Sequence, residues 1–408
     1  MQPLEGRHLW LVGIGGAGMS ALALVCKAWG AEVAGSDRAR SSYVELLERE
    51  AIPVTIGHAA ANVPDGWEIV VSTAVAPDNV EVAGREKRRR GELLAELVSL
   101  RQAIVVAGAH GKTTTAAMIA FALERLGLDP AFLIGGTVAQ LGGNARAGDG
   151  WLVAEGDESD RSLELLRPRI AAVTNVELDH HSTFASEAEV RELFESWLAS
   201  LPDGAVVLRG EQLAPPADLV LELPGEHNRR NGALALAALE AAGVGRDEAL
   251  GALAGFRGVD RRFELVGEAA GVRVVDDYAH NPAKLRAVLE AAREVAGEGR
   301  VLALFQPHLY SRTLHLQREL AEALATADVA CVTDVYAARE EPIPGVTGKL
   351  VVDRLAELRP GMVVAWTPKL DDAASLVSSR ARPGDLILTI GAGDVDRTGA
   401  MLLERLGA

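Results

Sequence analysis

Gly108-Ala109-His110-Gly111-Lys112-Thr113-Thr114-Thr115 carries the clearest chemistry in this chain. Glycines at such a turn let backbone N–H groups cradle phosphate oxygens. A lysine ammonium there neutralises β- and γ-phosphates, and the Thr113 hydroxyl can ligate Mg²⁺. The strict phosphate-loop pattern asks for glycine five positions before Gly111, where this sequence has Val106. Gly-Lys-Thr directly after an apolar run keeps the phosphate reading. A second loop, Gly13-Ile14-Gly15-Gly16-Ala17-Gly18, has the G-x-G-x-x-G spacing between an apolar run and a helical segment. Glycines at those spacings let the backbone approach a diphosphate, and the helix amino end adds partial positive charge. Asp37 ends the next apolar run, where a ribose-binding acid would stand. The pattern fits a dinucleotide and a UDP-sugar equally.

Acids and histidines follow. Glu155, Asp157, Glu158 and Asp160 stand just past an apolar run, and Thr174-Asn175-Val176-Glu177-Leu178-Asp179-His180-His181 closes the next. Two acid-rich strand ends beside a phosphate loop suggest a hydrated Mg²⁺ held by few protein ligands. Helix capping by Asp157, Ser159 and Asp160 is the plainer alternative. Asn228 and Asn231 precede an Ala/Leu-rich helix, where Asn228 could cap it or bind a base. Arg261-Arg262-Phe263 joins two anion-binding forks to an apolar anchor. Asp276-Asp277-Tyr278-Ala279-His280-Asn281 and Gln306-Pro307-His308-Leu309-Tyr310-Ser311-Arg312-Thr313 each close an apolar run. Two such ends on adjacent parallel strands would form one wall of a site.

The elements positioning these residues read as short apolar strands alternating with Ala/Leu/Glu/Arg helices. Strands are predicted at 9–13, 32–36, 69–72, 103–107, 151–155, 170–174, 272–276, 301–305, 329–333 and 385–390. Continuous apolar runs indicate parallel strands buried on both faces, and the alternation implies right-handed βαβ units in doubly wound α/β sheets. The stretches 85–101 and 256–271 read as linkers between domains. With 408 residues, 49% hydrophobic, the chain can bury two to four cores. A formal charge of −16 argues against a nucleic-acid partner. The basic run from Arg85 to Arg90 reads as a solvated helix face. Cys26 and Cys331 lie in apolar surroundings and read as buried thiols of a reducing compartment. No signal-peptide pattern or membrane-length apolar stretch is present, so a cytoplasmic protein is expected. Nothing signals an oligomeric state.

Taken together, the motifs resemble the Mur ligases, along the chain from His8 to Asp394. The glycine loops, Gly35-Ser36-Asp37, Glu155-Gly156-Asp157-Glu158-Ser159-Asp160 and the Asp179-His180 pair carry the likeness, together with Arg261-Arg262-Phe263 and Gly391-Ala392-Gly393. The Gly13–Met19 opening and the Gln306–Thr313 stretch point to the alanine-adding branch. The resemblance implies three α/β domains. These are a Rossmann-like UDP-sugar domain at 1–98, a central P-loop ATPase-type domain at 99–264, and a Rossmann-like domain at 265–408 that closes over the active site. It implies ATP and two Mg²⁺ ions, with UDP-N-acetylmuramate and L-alanine as substrates of an ATP-dependent amide ligase of peptidoglycan synthesis. Gly13, Gly15, Gly16, Ala17 and Gly18 would hold the UDP diphosphate, with Ser36, Asp37 and Ser72 beside that substrate. Gly108, His110, Gly111, Lys112, Thr113, Thr114, Asn228, Asn231 and Arg262 would contact ATP. Thr113, Glu155 and His180 would ligate metal. Lys112, His180, His280, His308 and Arg312 would serve the chemistry. The chain departs from the family pattern at Ala109 (usually Thr), Ser182 (commonly Asp) and Asn281 (usually a second His). A dehydrogenase built on Gly13–Gly18, a non-catalytic nucleotide binder and a sister ligase attaching a recycled peptide are the competing readings.

Overall fold

The structure, a computed structural model, describes residues 2–179, 183–338 and 340–407. It contains two compact units, Met1–Glu222 with Arg230–Val259, and Leu223–Arg229 with Asp260–Ala408.

The first unit holds two sheets. Strands β1 (His8–Val12), β2 (Glu32–Asp37), β3 (Val54–Ile56), β4 (Glu68–Val71) and β5 (Arg88–Arg89) pair in the order β3-β2-β1-β4-β5, parallel throughout. Helices α1 (Ala17–Ala28), α2 (Ser42–Arg49) and α3 (Arg90–Ser99) accompany them. The neighbours of β1 run away from it in opposite senses of the chain. Its carboxyl end is therefore the switch point at which such sheets bind ligands.

The second sheet has β6 (Ala103–Ala107), β7 (Ala131–Val138), β8 (Gly143–Arg146), β9 (Leu152–Glu155), β10 (Ile170–Val173) and β11 (Val206–Arg209), ordered β11-β10-β6-β9-β7-β8. Only the β7–β8 pair is antiparallel. Helices α4 (Lys112–Arg125), α5 (Glu187–Ala199), α6 (Glu226–Ala241) and α7 (Arg246–Leu253) follow its strands. Strand β6 is buried at every position, as its apolar run requires, and lies between β9 and β10. That order gathers the phosphate loop and both acid-rich ends at one edge. One apolar core, including Leu11, Met19, Leu97, Val105, Leu133 and Ala154, runs through both sheets of this unit, and a second, with Trp10, Val12 and Ile69, lies in the first sheet.

The second unit carries β12 (Glu264–Ala269), β13 (Val272–Asp277), β14 (Val301–Phe305), β15 (Val329–Val332), β16 (Val363–Trp366) and β17 (Leu386–Ile390), ordered β12-β13-β17-β14-β15-β16. Helices α8 (Pro282–Ala296), α9 (Tyr310–Leu324), α10 (Lys349–Leu358), α11 (Leu370–Arg380) and α12 (Arg397–Gly407) cover it. Apolar clusters lie on both faces, with Phe305 and Leu388 in one and Leu302 and Ile387 in the other.

All ten predicted strands are present, within a residue or two at their ends. Two expectations fail. Residues 85–101 are not a linker, because Arg88–Arg89 pairs with β4 and α3 buries Leu93, Leu94, Leu97 and Val98. The basic run is not a helix face either: Arg85, Lys87 and Arg89 are exposed, but only Arg90 is helical, and Arg88 is ion-paired to Glu96 and Glu68. Within 256–271 the boundary between the two units falls at Val259 and Asp260, and β12, an antiparallel edge strand, follows it.

Candidate functional site

The β1–α1 turn is shaped by its glycines. Gly13 has φ +80°, and a Cβ there would lie 3.0 Å from Cβ of Ser72, at the end of the neighbouring β4. A Cβ on Gly15 would stand 2.7 Å from a Val44 methyl. The Gly15 N–H donates to Asp37 Oδ2 at 2.9 Å, and Ser41 Oγ donates to the Gly15 carbonyl at 3.0 Å. Asp37 thus fastens the turn from β2. Gly16 is the N-cap of α1, with no side-chain cap on the helix and no acid in its first turn, which suits an anion there. Asn144 of β8 donates to the Ala17 carbonyl at 3.0 Å.

Ser36 hydrogen-bonds the fully buried carboxylate of Glu81, a residue the sequence reading passed over. Glu81 also accepts from Asn62 Nδ2 at 2.7 Å, Ala59 N at 3.1 Å and Trp10 Nε1 at 3.3 Å. Burial works to raise its pKa, but these donors prevail and hold it below the ordinary glutamate value. Its only sequence signal was an acid among apolar neighbours.

The phosphate loop leaves β6 and enters α4. Gly108 has φ +131°, and a Cβ would stand 2.1 Å from Thr174 Oγ1; at Gly111, φ +83°, it would stand 2.3 Å from Asn231 Oδ1. Both positions need glycine for conformation and for space. Asn175 clamps the loop. Its carbonyl accepts from Ala109 N at 3.1 Å, its Oδ1 accepts from His110 N at 2.9 Å, and its Nδ2 donates to the His110 carbonyl at 3.0 Å. His110 Nε2 lies 3.2 Å from Glu177 Oε2. Thr114 is buried in the first turn of α4.

Lys112 Nζ donates to the Gly108 carbonyl and to Glu158 Oε2, each at 2.6 Å. Burial disfavours its charge, but Glu158, Asp157 and Glu155 outweigh burial and raise the lysine pKa. The reverse field lowers Asp157. Burial opposes its charge, while Lys112, the hydrogen bonds from Ser159 and Arg90 favour it. Thr113 Oγ1 donates to Glu155 Oε2 at 3.0 Å, and Gly135 N donates to Glu155 Oε1 at 2.5 Å. A hydroxyl and a carboxylate so close at adjacent strand ends fit Mg²⁺, which keeps most of its water and takes few protein oxygens. His180, assigned to metal and chemistry, lies outside the described residues, as does Ser182. The helix that follows is not capped by these acids, since its N-cap is Arg161 with no side-chain cap; Asp157 accepts from Ser159 N and Asp160 from Ser162 N, each at 2.9 Å, as bonds within the loop.

The second unit assembles its own cluster at the ends of β13 and β14. The His280 and His308 rings are 5.7 Å apart, His308 stacks on Tyr336 at 5.9 Å, and Arg312 Nη1 lies 3.2 Å from His308 Nδ1. The two predicted strand ends do form one wall, but their strands are not adjacent, because β17 lies between β13 and β14. Arg261 and Arg262 both lie on the Tyr278 ring, 5.2 and 5.1 Å from its centre. Arg261 also bonds Asp276 and the Gly391 and Gly393 carbonyls, so the family pair has one arm fixed within the fold. Asn281 is the N-cap of α8, accepting from Lys284 N at 2.9 Å. Asn228 does not cap α6. It sits in the first turn and donates to the Pro224 carbonyl at 2.7 Å. Asn228 belongs to the second unit and Asn231 to the first.

Comparison with known proteins shows the family. Three family models match in succession: Mur ligase family, catalytic domain, at 8–101; Mur ligase middle domain at 106–214; and Mur ligase, glutamate ligase domain, at 261–393. A UDP-N-acetylmuramate–L-alanine ligase of Renibacterium salmoninarum is 43% identical over 97% of this chain and 95% of its own. The chain belongs to the Mur ligase family. The Streptomyces avermitilis relative, with the same name, is 40% identical over 97% of this chain and 96% of its own. Among solved structures, the UDP-N-acetylmuramate-alanine ligase MurC of Thermotoga maritima superposes with a TM-score of 0.83, at 27% identity and 98% coverage of each chain. A murein peptide ligase of Psychrobacter arcticus shares the fold, with a TM-score of 0.67 at 24% identity over 98% of this chain and 99% of its own. In this Mur ligase two of the departures are mild. Ala109 keeps the backbone donor of the loop, and Asn281 supplies a helix cap.

Proposed function

We infer that this Mur ligase joins L-alanine to the lactyl carboxylate of UDP-N-acetylmuramate, using ATP, in peptidoglycan synthesis. The observation that carries the reading is end-to-end similarity to relatives bearing that activity in their names, at 40–43% identity. The glycine turn after β1 takes the UDP diphosphate, with Ser36, Asp37 and Ser72 beside it. The loop after β6 takes ATP, with Asn228, Asn231 and Arg262 as further nucleotide contacts. The chain divides into domains at 1–98, 99–264 and 265–408, the last closing during the reaction. ATP and UDP-sugars are cytoplasmic pools, and that compartment goes with the reading.

An amide cannot form from a carboxylate without a leaving group. The carboxylate attacks the γ-phosphate, its new O–P bond replacing the bond to ADP; the amine of alanine then attacks the acyl carbon and phosphate departs. Two anions must meet in the first step, and the Lys112 ammonium, kept protonated by its acids, lowers that repulsion. Thr113, Glu155 and His180 would hold Mg²⁺, which shields phosphate charge when bound. His280, His308 and Arg312 face the substrate carboxylate and the incoming amine. Arg312 offers a planar fork suited to carboxylate or phosphate. His280 or His308 accepts the proton the amine must lose.

The test is ADP release with UDP-N-acetylmuramate and, separately, L-Ala, Gly, L-Ser and an L-Ala-γ-D-Glu-containing tripeptide. Highest turnover with L-Ala is expected. Preference for the tripeptide would identify the recycling ligase, and a response to NADH without ADP release would return the dehydrogenase.

A further inference from the structure

The basic run 85–90 is the sequence motif still without a task, and its last member is not solvated. Arg90 opens α3 with a side chain only 16% exposed. Two carboxylates of the acid loop after β9 hold its guanidinium, Nη2 lying 3.1 Å from Asp160 Oδ2 and 3.5 Å from Asp157 Oδ2. Both contacts use Nη2. Nη1, the other tip of the fork, lies 3.2 Å from where a Cβ on Gly18 would stand. The guanidinium therefore flanks the third glycine of the turn after β1, at the start of α1. Its own backbone is fixed. A Cβ on the next residue, Gly91, would stand 2.3 Å from Ser162 Cβ, and Glu92 accepts from Arg89 N at 2.7 Å. A lysine could satisfy the two acids as a point charge, but only a fork can hold acids at one tip and face an anion with the other.

We propose that Arg90 binds the diphosphate of the UDP-sugar through the tip beside Gly18, oriented for that contact by Asp160 and Asp157. The substrate site of the first sheet is thus completed by the acid loop of the second. This rests on the UDP-sugar reading of the turn given above.

The test is calorimetric titration of the full chain with UDP-N-acetylmuramate, UDP and a non-hydrolysable ATP analogue, in wild type, Arg90→Lys, Asp160→Asn and the double variant. Arg90→Lys should weaken both UDP ligands about tenfold or more, while the ATP analogue stays within about threefold. Asp160→Asn keeps an amide oxygen to accept Ser162 N, a bond of 2.9 Å here, so the loop bond survives while the charge is lost. It should weaken UDP ligands in the wild-type background and add little to Arg90→Lys. Unchanged UDP affinity in Arg90→Lys overturns the proposal, as does equal loss of all three ligands, the mark of a merely structural ion pair. Fully additive effects overturn the orienting role of Asp160. A wild type that binds neither UDP ligand sinks the reading of the turn itself, a different failure.

Discussion

Burial alone would push the Lys112 ammonium toward its neutral form; the charges of Glu158, Asp157 and Glu155 hold the proton. Lys112→Ala should lower phosphate release by about 10²–10³ or more, the scale of losing a preorganised charge contact. It also strips the ammonium from Glu158, only 2% exposed, so stability should fall too. Adding Glu158→Gln should recover stability but not turnover, which separates the two effects; near-normal phosphate release in Lys112→Ala would defeat the assignment. Asp277 tests burial in the second unit. It accepts N–H groups of Phe263 and Ala279 at 2.8 and 2.7 Å, yet burial, only partly offset by Arg262 and those donors, pushes its carboxyl up to about 6. The folded value exceeds the unfolded one. Its contribution is therefore complete below about 3.8 and lost as pH rises through about 6, up to about 3 kcal/mol. Asp277→Asn cannot ionise and should flatten that part of the stability curve. Denaturation midpoints between pH 4 and 7 check this, and parallel curves for the two proteins would refute it.

Elements decide where these groups stand. Each cluster hangs on the carboxyl ends of neighbouring parallel strands, β1 with β4, β6 with β9 and β10, and β13 with β14 through β17. Turn geometry is the sensitive part. Gly15→Val would drive a branched side chain into Val44, whose methyl is 2.7 Å from the new Cβ, and press on Asp37 at 3.0 Å. UDP-N-acetylmuramate binding should weaken at least tenfold on the scale of one lost charge-assisted contact. ATP-analogue binding should hold, because the second loop hangs on a different sheet. Calorimetry with both ligands decides, and equal losses would show that the turn serves the fold rather than the UDP-sugar.

At the scale of the molecule, residues assigned to one reaction are divided between two compact units, Lys112 and Glu155 in one, His280, His308 and Arg312 in the other. The proposed reaction therefore predicts a domain movement in each turnover, as in enzymes that exclude water from reactive acyl intermediates. Arg312→Lys should then cut turnover strongly, about tenfold or more, with ATP affinity changed by no more than a few-fold. Small-angle scattering should show a smaller radius of gyration when ATP analogue and UDP-N-acetylmuramate are both present. Normal turnover in Arg312→Lys with an unchanged radius would take this residue out of the site.

The amino-acid order alone determined the α/β class, the ten central strands and both glycine loops. These signals are local: a run such as Ala103–Ala107 is apolar because both its faces are buried, and Gly108 and Gly111 are glycine because their own φ values demand it. Strands β3, β5, β7, β8, β11, β12 and β16 were not legible. Several lie at or near sheet edges, where one side is exposed or polar and pairing depends on a distant partner; Leu265 in β12 is 60% exposed. Tertiary structure alone decided the ion-pair partners. The burial of Arg90 against Asp160, 70 residues away, the seat of Lys112 on Glu158, 46 away, and the four donors to Glu81 arise from contacts between strand ends. No spacing along the chain encodes these partners, because those of Lys112 and Glu81 meet only once each sheet has paired its strands, and those of Arg90 only once the two sheets share a core.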